Sequence, residues 1–374
     1  MLQLRAKHVL PLMVLAVSVG VSAERRVFRG ALFSRGAAPV RLGRAVPGVA
    51  SHAASACASC HAEIADEWRA SQHRGAWHDR VFQAAYQREP MAFCRHCHAP
   101  LAEGPAPSRE EADEGVSCAV CHVRSGAVLG ARARADTPHP VLAAGLGAST
   151  YCAGCHQFNF PGDTGGAEAP YATDEPMQDT FAEWQMSASG QRGESCQSCH
   201  MPWVEGPNGR RHRSHRFVGG ADPALVRQAV SVRLVPGRTA DAVEAAVSLV
   251  PGRLGHAFPT GDLFRRVELR VWADDDEAHA QTVVYARAFA PVLERSPRGA
   301  MLFVRRQSRD TRVMPPGLGA PEVETLRFGR DTRTLNFRLQ YLLMPTPMAA
   351  SHGIGTPENQ LTVEEGRVAL EGAR

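Results

Sequence analysis

The chain has 374 residues, and at about 100 to 200 residues per domain this length predicts two domains. Forty-two Lys and Arg residues against 38 Asp and Glu residues leave a formal charge of +4, which is too balanced for a typical nucleic-acid-binding protein. With 34 glycines and 26 prolines the composition is globular and loop-rich, and it argues against a long helical bundle.

The first 23 residues have the pattern of a signal peptide. Arg5 and Lys7 precede an apolar run over residues 9–21, and small residues follow before Glu24. The alternative is an uncleaved membrane anchor, but the run is shorter than the roughly 20 residues that cross a bilayer. We therefore expect an exported chain that begins near Glu24, works in the periplasm or outside the cell, and has no membrane span after cleavage.

All ten cysteines lie in C-x-x-C-H units. Structural zinc sites, disulfides and redox dithiols also use C-x-x-C, but none of them requires a histidine at the fifth position. This unit attaches c-type heme, because two sulfurs can reach one edge of a porphyrin while the histidine binds its iron. The sequence therefore predicts five covalently attached heme c groups, held by Cys57, Cys60 and His61; Cys94, Cys97 and His98; Cys118, Cys121 and His122; Cys152, Cys155 and His156; and Cys196, Cys199 and His200.

The five units are crowded into residues 57–200. A compact domain of about 170 residues has a radius of gyration of roughly 16 Å, which leaves neighbouring irons on the order of 19 Å apart. Since a porphyrin is about 10 Å wide, the edges of adjacent hemes should approach within about 10 Å. The spacing thus predicts a chain of redox centres in the first part of the protein.

The first candidate for a second iron ligand is His73. Residues 63–73 contain no Gly or Pro and predict a helix that carries Trp68 and His73 toward a heme. A surface histidine near a helix end is the alternative, and His78 is a weaker candidate. Two imidazoles on one iron make an electron-transfer centre, whereas an open iron position permits substrate chemistry.

Four further histidines are candidates for second ligands. His215 lies in a basic segment after the last unit and is favoured over the neighbouring His212, although a solvated basic loop is the alternative. The set is completed by two loop histidines near the units, and by one in the second half of the chain that a family resemblance described below implies. His96 is too constrained inside its own unit to bind a second iron position. The sequence around His279 and His352 does not favour either of them as a ligand. The predicted second ligands are therefore His73, His215, His139, His256 and His52.

A partial internal repeat occurs over residues 181–189. Glu183, Trp184 and Ser187 match Glu67, Trp68 and Ser71, while Ser189 replaces the histidine of the first copy. An iron facing this second segment would take a ligand from elsewhere, accept Met186 weakly, or stay open. Helix packing alone also explains the repeat.

From about residue 221 the pattern changes to that of β-strands. The segment has no cysteine, and alternating runs separated by Pro and Gly turns predict strands at residues 230–235, 243–250, 267–272, 283–288 and 335–343. We therefore expect an α+β protein: a loop-rich, mainly helical cytochrome c domain at residues 50–220, followed by an antiparallel β-sandwich-like domain at residues 221–374. Residues 24–49 form an N-terminal extension.

These segments resemble multiheme c-type cytochromes, especially the tetraheme cytochrome that accepts electrons from hydroxylamine oxidoreductase. The likeness covers residues 50–220 and lies in two places: the first C-x-x-C-H unit with E-W-x-x-S-x-H at residues 67–73, and the last unit with Met201, Pro202, His212 and His215. The resemblance implies that His73 is a distal iron ligand. This chain departs from the family in having five units rather than four, and in lacking the histidine in its second W-x-x-S segment.

In having five heme-attachment units, the chain also resembles the ammonia-forming nitrite reductases, which typically carry C-x-x-C-K at the catalytic iron. Lys7 is the only lysine, so that active site is absent. In the second half, residues 255–261 followed by Arg265 and Arg266 are similar to a segment in β-domains appended to other multiheme cytochromes. This similarity implies that His256 binds an iron, with one of the two arginines near a heme propionate; a structural turn is the alternative.

The sequence predicts an electron carrier that acts between donor and acceptor proteins. The alternative is an oxidoreductase that acts on a small nitrogen compound, of the nitrite or hydroxylamine type, at one five-coordinate heme. A heme-stabilised interaction or sensing module is a third hypothesis. No nucleic acid is expected as a partner, and no catalytic residue is assigned.

Overall fold

The computed structural model describes residues 40–104, 106–161, 171–207, 209–296 and 299–370. The predicted signal peptide at residues 1–23, and residues 24–39 of the predicted extension, lie outside the described residues. We call residues 50–220 the attachment region, because they hold all C-x-x-C-H units, and residues 221–370 the β region.

The attachment region is built from short helices joined by turns. In chain order the helices are α1 (Ala54–Ala58), α2 (Ala62–Arg69), α3 (Arg80–Arg88), α4 (Ala92–His98), α5 (Arg109–Glu114), α6 (Cys118–His122), α7 (Thr150–His156), α8 (Thr180–Met186), α9 (Ala188–Gln191) and α10 (Cys196–His200). Small strands lie between them: β1 (Val123–Arg124), β2 (Ala127–Gly130), β3 (Val141–Ala143), β4 (Phe158–Asn159), β5 (Pro176–Gln178), β6 (Trp203–Glu205) and β7 (Arg211–Arg213).

Local capping sets several of these helix ends. Asp79 is the N-cap of α3, and its side chain accepts a hydrogen bond from Phe82 N. Ser108 and Glu111 form a capping box at the start of α5. The predicted helix over residues 63–73 is shorter in the structure, because α2 ends at Arg69. His73 therefore lies in the turn that follows α2 rather than on the helix.

The β region begins with α11 (Pro223–Arg227) and continues mainly as strands. They are β8 (Val230–Arg238), β9 (Ala242–Pro251), β10 (Arg266–Ala273), β11 (Gln281–Tyr285), β12 (Arg287–Arg295), β13 (Met301–Asp310), β14 (Glu324–Gly329), β15 (Thr334–Leu342) and β16 (Gln360–Ala369). A 3-10 turn at Glu277–His279 precedes β11, and α12 (Thr346–Ser351) and α13 (Thr356–Asn359) connect β15 to β16.

Two antiparallel sheets of the β region share one apolar core. Strands β14, β9 and β8 form one sheet, and β11, β10, β15 and β16 form the other. Leu269 of β10 pairs with Leu339 of β15, and both are fully buried, as is Val243 of β9. Because alternate residues of a strand point to the same face, one face of each sheet supplies this core.

The strand predictions agree with the structure, apart from one boundary. The predicted strand at residues 283–288 covers the end of β11 and the start of β12, which separate at Ala286. Strands β13, β14 and β16 were not predicted. The α+β class holds, with helices and several antiparallel sheets, whereas the sandwich arrangement stays a prediction.

The two regions pack against each other through apolar and charged groups. Val81 and Ala84 of α3 form a buried cluster with Met344 and Ile354 of the β region. Beside α8, the buried Arg312 guanidinium donates to the Glu183 carboxylate at 2.6 Å. These contacts therefore fix the attachment region to the β region.

Candidate heme-binding sites

Each C-x-x-C-H unit is presented by a short helix. In the last four units the helix ends at the histidine itself: α4 at His98, α6 at His122, α7 at His156 and α10 at His200. In the first unit, Cys57 lies in α1 and His61 precedes α2. A helix places residues i and i+3 on one face, so in the last four units both sulfurs are directed to the same side.

Thiols of different units lie next to each other. Hydrogen-bonding contacts join Cys57 to Cys118, Cys97 to Cys155, and Cys152 to Cys196. Burial of Cys121 raises the pKa of its thiol to about 11, and an electrostatic interaction with Cys155 adds to this shift. The ten described cysteines form no disulfides. Thiol contacts therefore join the first unit to the third, and the fourth unit to the second and the fifth, while the Cys121–Cys155 interaction relates the two groups.

Four of the five unit histidines face a second histidine. An imidazole nitrogen binds a metal at about 2.0 Å, so two imidazoles on opposite sides of one iron have ring centroids about 6.3 Å apart. The observed ring separations match this value: His61–His139 at 6.5 Å, His156–His73 at 6.4 Å, His122–His215 at 6.1 Å and His200–His256 at 6.1 Å.

The hydrogen bonds of these rings orient them for metal binding. A ring that donates from Nδ1 to a carbonyl keeps the lone pair on Nε2, which is the atom that binds metal. Five rings make such a bond: His98 to Ala76 O at 2.7 Å, His122 to Leu129 O at 2.9 Å, His200 to Val218 O at 2.5 Å, His215 to Arg213 O at 2.8 Å and His256 to Ala257 O at 3.0 Å. The donor set and its spacing therefore fit a heme iron with two axial imidazoles.

Burial keeps several of the paired imidazoles neutral. It lowers the pKa of His73 to about 4, that of His215 to about 4 and that of His156 to about 3, and each shift is increased by a nearby histidine. Burial also lowers the pKa of His122 and of His256. Only the neutral form of histidine binds metal, so the sites favour the binding form at pH 7.

His98, in the second unit, has different surroundings. Phe82 of α3 stacks on its ring, with centroids 3.6 Å apart and planes 8° apart. Within the described part of the chain, no second imidazole faces His98 at the separation of the four pairs. The structure thus brings together four of the five predicted second ligands with unit histidines.

The fifth predicted second ligand, His52, lies in the bend before α1 and faces none of the unit histidines among the residues described. The weaker candidates have polar partners. His212 Nε2 lies 3.3 Å from the Glu67 carboxylate, and His78 Nε2 lies 3.0 Å from Asp113. His279 likewise contacts Asp276 at 2.8 Å.

The second W-x-x-S segment lies beside a histidine from the β region. At Gly255, which precedes His256, an added Cβ would come into van der Waals contact with Trp184 and Ser189, so the two segments are neighbours. His200 of the fifth unit thus faces an imidazole from elsewhere in the chain, which agrees with one of the options that the sequence left open. Arg265, one of the two arginines of which one is predicted near a propionate, contacts the Tyr341 hydroxyl.

Comparisons with known proteins point to the same class of site. A family model described as "Cytochrome c554 and c-prime" matches residues 56–123. The fold is similar to the crystal structure of a penta-heme cytochrome c552 from Thermochromatium tepidum, with a TM-score of 0.61, 17% identity, and coverage of 87% of this chain and 100% of that one. No curated protein matches.

Together, the partial family match and the shared fold support a multiheme c-type cytochrome with covalently bound heme c. Electron transport is the function that this class supports, and a cytochrome implies redox partners. Among the described residues, no helix is both long enough and apolar enough to cross a membrane.

Proposed function

We propose that the protein is an exported pentaheme c-type cytochrome that carries electrons between redox partner proteins through mostly bis-histidine hemes. The four facing imidazole pairs carry this proposal. Each pair joins a C-x-x-C-H histidine to a histidine distant in the chain, at the separation of two ligands on one iron. Six-coordinate iron exchanges electrons without binding a substrate.

The chain's own residues have three tasks in this function. The cysteines would form thioethers, the unit histidines would bind the irons, and the facing histidines would occupy the remaining axial positions. A bound heme c would supply one-electron chemistry at its iron. Because sulfurs of different units are in contact, groups tethered through them are neighbours, as a redox chain requires.

The count of five and the cellular location belong to this proposal. All five C-x-x-C-H units are intact, and the apolar segment at residues 9–21 supports export to the periplasm or beyond the cell. Attachment of c-type heme outside the cytoplasm agrees with this location. The donor and acceptor would be other redox proteins.

Two measurements on the purified native protein test the carrier function. Intact mass should exceed that of the mature polypeptide by about 0.6 kDa per unit, or about 3 kDa in total. Ferric spectra should show at least four low-spin hemes, and dithionite should reduce all five. A mass equal to that of the bare polypeptide would refute the proposal.

The surroundings of His98 favour a second candidate function. Since no described imidazole faces this ring, an iron bound at the second unit could keep an open position for a small nitrogen compound such as nitrite or hydroxylamine. In that case one heme in five would be high-spin and bind cyanide or nitric oxide. Turnover of nitrite or hydroxylamine with a viologen or a quinone-type mediator would identify an enzyme; five low-spin hemes would exclude this candidate.

A further inference from the structure

Two segments of the attachment region share a longer pattern than W-x-x-S. E-W-x-x-S occurs at residues 67–71 and 183–187, and G-x-S-C-x-x-C-H occurs at residues 115–122 and 193–200. In the first copy, the two parts are separated by the second C-x-x-C-H unit. Both copies therefore end on a heme-attachment site, the third unit in one copy and the fifth unit in the other.

The two copies have the same local geometry. Ser71 donates to Trp68 O at 2.7 Å, and Ser187 donates to Trp184 O at 2.8 Å. The two serine hydroxyls accept from backbone N–H groups three residues later, at 3.3 Å and 3.2 Å. The glycines that open the second part also agree, since both have positive φ, +51° and +74°. The repeat is thus present in the structure as well as in the amino-acid sequence.

The tryptophan of each copy is bound to the proximal side of its attachment site. Trp68 Nε1 donates to Val116 O at 2.9 Å, and Trp184 Nε1 donates to Glu194 O at 2.8 Å. Each of these carbonyls lies two residues before the first cysteine of its unit. Each indole therefore fixes the chain that leads into the cysteines and the proximal histidine.

The glutamate of each copy is bound to the opposite side. Glu67 accepts a hydrogen bond from His215 N at 2.8 Å, and Glu183 accepts one from Ala257 N at 3.1 Å. His215 faces His122 of the third unit, and His256, next to Ala257, faces His200 of the fifth unit. Each glutamate thus holds the segment of the second ligand of the same unit whose proximal side its tryptophan holds.

We propose that Glu67–Trp68 and Glu183–Trp184 are two equivalent axial clamps, which fix the separation between proximal and distal histidines at the third and fifth heme sites. Adjacent residues of one short helix reach both sides of the site, so the helix sets the gap between the imidazoles. The glutamates and tryptophans are positioning residues that act on the ligands through backbone groups. The inference rests on the proposed heme sites.

The two clamps differ in the burial of their glutamates and in the side chains that these glutamates contact. Glu67 has a side chain 20% exposed and a second contact with His212, whereas Glu183 is fully buried and paired with Arg312. Arg312 is held in turn by Asp310 at 2.8 Å. Removing Glu67 should therefore disturb the third site without unfolding the protein, and this makes it the better residue to test.

The test compares Glu67→Ala with Glu67→Gln and with Asp66→Ala, a matched control at an exposed neighbour on α2. High-spin ferric hemes are counted in the holoprotein by magnetic circular dichroism, and cyanide binding is titrated. Glu67→Ala should raise the number of high-spin, cyanide-binding hemes by one over the parent, because His215 is no longer held. Glu67→Gln should match the parent, since its amide oxygen accepts from His215 N.

Equal counts in Glu67→Ala and Asp66→Ala would overturn the clamp. If Glu183→Ala folds, it should add one high-spin heme on its own and a second one when combined with Glu67→Ala, because the clamps act at different sites; a double variant that adds only one would contradict two separate clamps. A parent protein without heme would refute the proposed function, whereas a heme-loaded parent with unresponsive variants would refute the clamps alone.

Discussion

The β region and the attachment region differ in the size of their apolar cores. The β region has a continuous apolar core, in which Val243, Leu269, Leu335 and Leu339 are completely buried. The main apolar cluster around the attachment region is small: its buried members are Ala119 and Val123 of that region and Val46, which precedes it. Short helices with so little core between them are marginal in isolation.

This difference indicates that the two regions depend on different factors for their order. From its continuous apolar core we infer that the β region is ordered by its own sequence, and it supplies His256 and the Arg312 side chain to its neighbour. The attachment region instead gathers cysteines and imidazoles around sites for a large apolar cofactor. We infer that its order depends on cofactor attachment and on the β scaffold.

The largest predicted effect comes from preventing heme attachment. Expressed without the attachment machinery, the full chain should retain protected β-strands but lose protection over residues 50–220. Hydrogen exchange of the heme-free and heme-loaded chains would measure this contrast. A heme-free protein whose attachment region is as protected as that of the loaded protein would show that the two regions do not differ in this way.

Arg312→Ala should be the most damaging single substitution at the boundary. It leaves Glu183 buried without its cationic partner, a loss that typically costs about 3–5 kcal/mol. Arg327→Ala is the matched control, because its ion pair with Asp241 is exposed and such pairs contribute about 0–1 kcal/mol. The free energies of unfolding in denaturant should separate the two variants, and similar values would contradict a structural role for the buried pair.

Leu339→Ala tests the independence of the β core. Removing this fully buried side chain should lower the free energy of unfolding by about 2–5 kcal/mol, owing to lost burial and the resulting cavity. Heme spectra at room temperature should stay unchanged, because Leu339 lies in the apolar core of the β region. Val250→Ala, at a partly exposed position of β9, should cost much less; a spectral change in Leu339→Ala would mean that the regions are more tightly coupled than their cores indicate.

His256→Ala tests the direct link between the regions at a single site. It removes the imidazole that faces His200, so one low-spin heme should become high-spin, and added imidazole should restore it. His279→Ala, which removes an exposed histidine of the same region, is the control. Unaltered low-spin content in His256→Ala would remove His256 from the proposed ligand set.

The smallest effect is expected from Asp262→Asn. Burial raises the pKa of Asp262, so the unfolded chain loses this proton at lower pH than the folded chain does. The parent should therefore lose stability as pH rises through the interval between the two pKa values, and the variant should not. Above that interval Asp262→Asn should melt slightly higher than the parent, with equal stabilities at lower pH; a variant less stable at pH 7 would assign the carboxylate a stabilising role.

The sequence by itself determined the chemistry of this protein. The C-x-x-C-H spacing predicts both heme-binding sulfurs and one iron ligand of each unit within five residues, so this prediction needs no tertiary information. Most strands of the β region also follow from alternation, since their two faces differ in burial. Strand β13 did not, because Met301, Leu302 and Phe303 are consecutive exposed residues and no alternation marks it.

Only the tertiary structure decided which histidine faces which unit. The partners are far apart along the chain, as His73 and His156 are, and pairing distant residues depends on how the whole chain packs. The same holds for the roles of Glu67 and Glu183: their repeat is visible in the sequence, but their hydrogen bonds reach segments that folding alone brings close. Local spacing encodes covalent chemistry, whereas contacts between distant residues are set by the packing of all elements together.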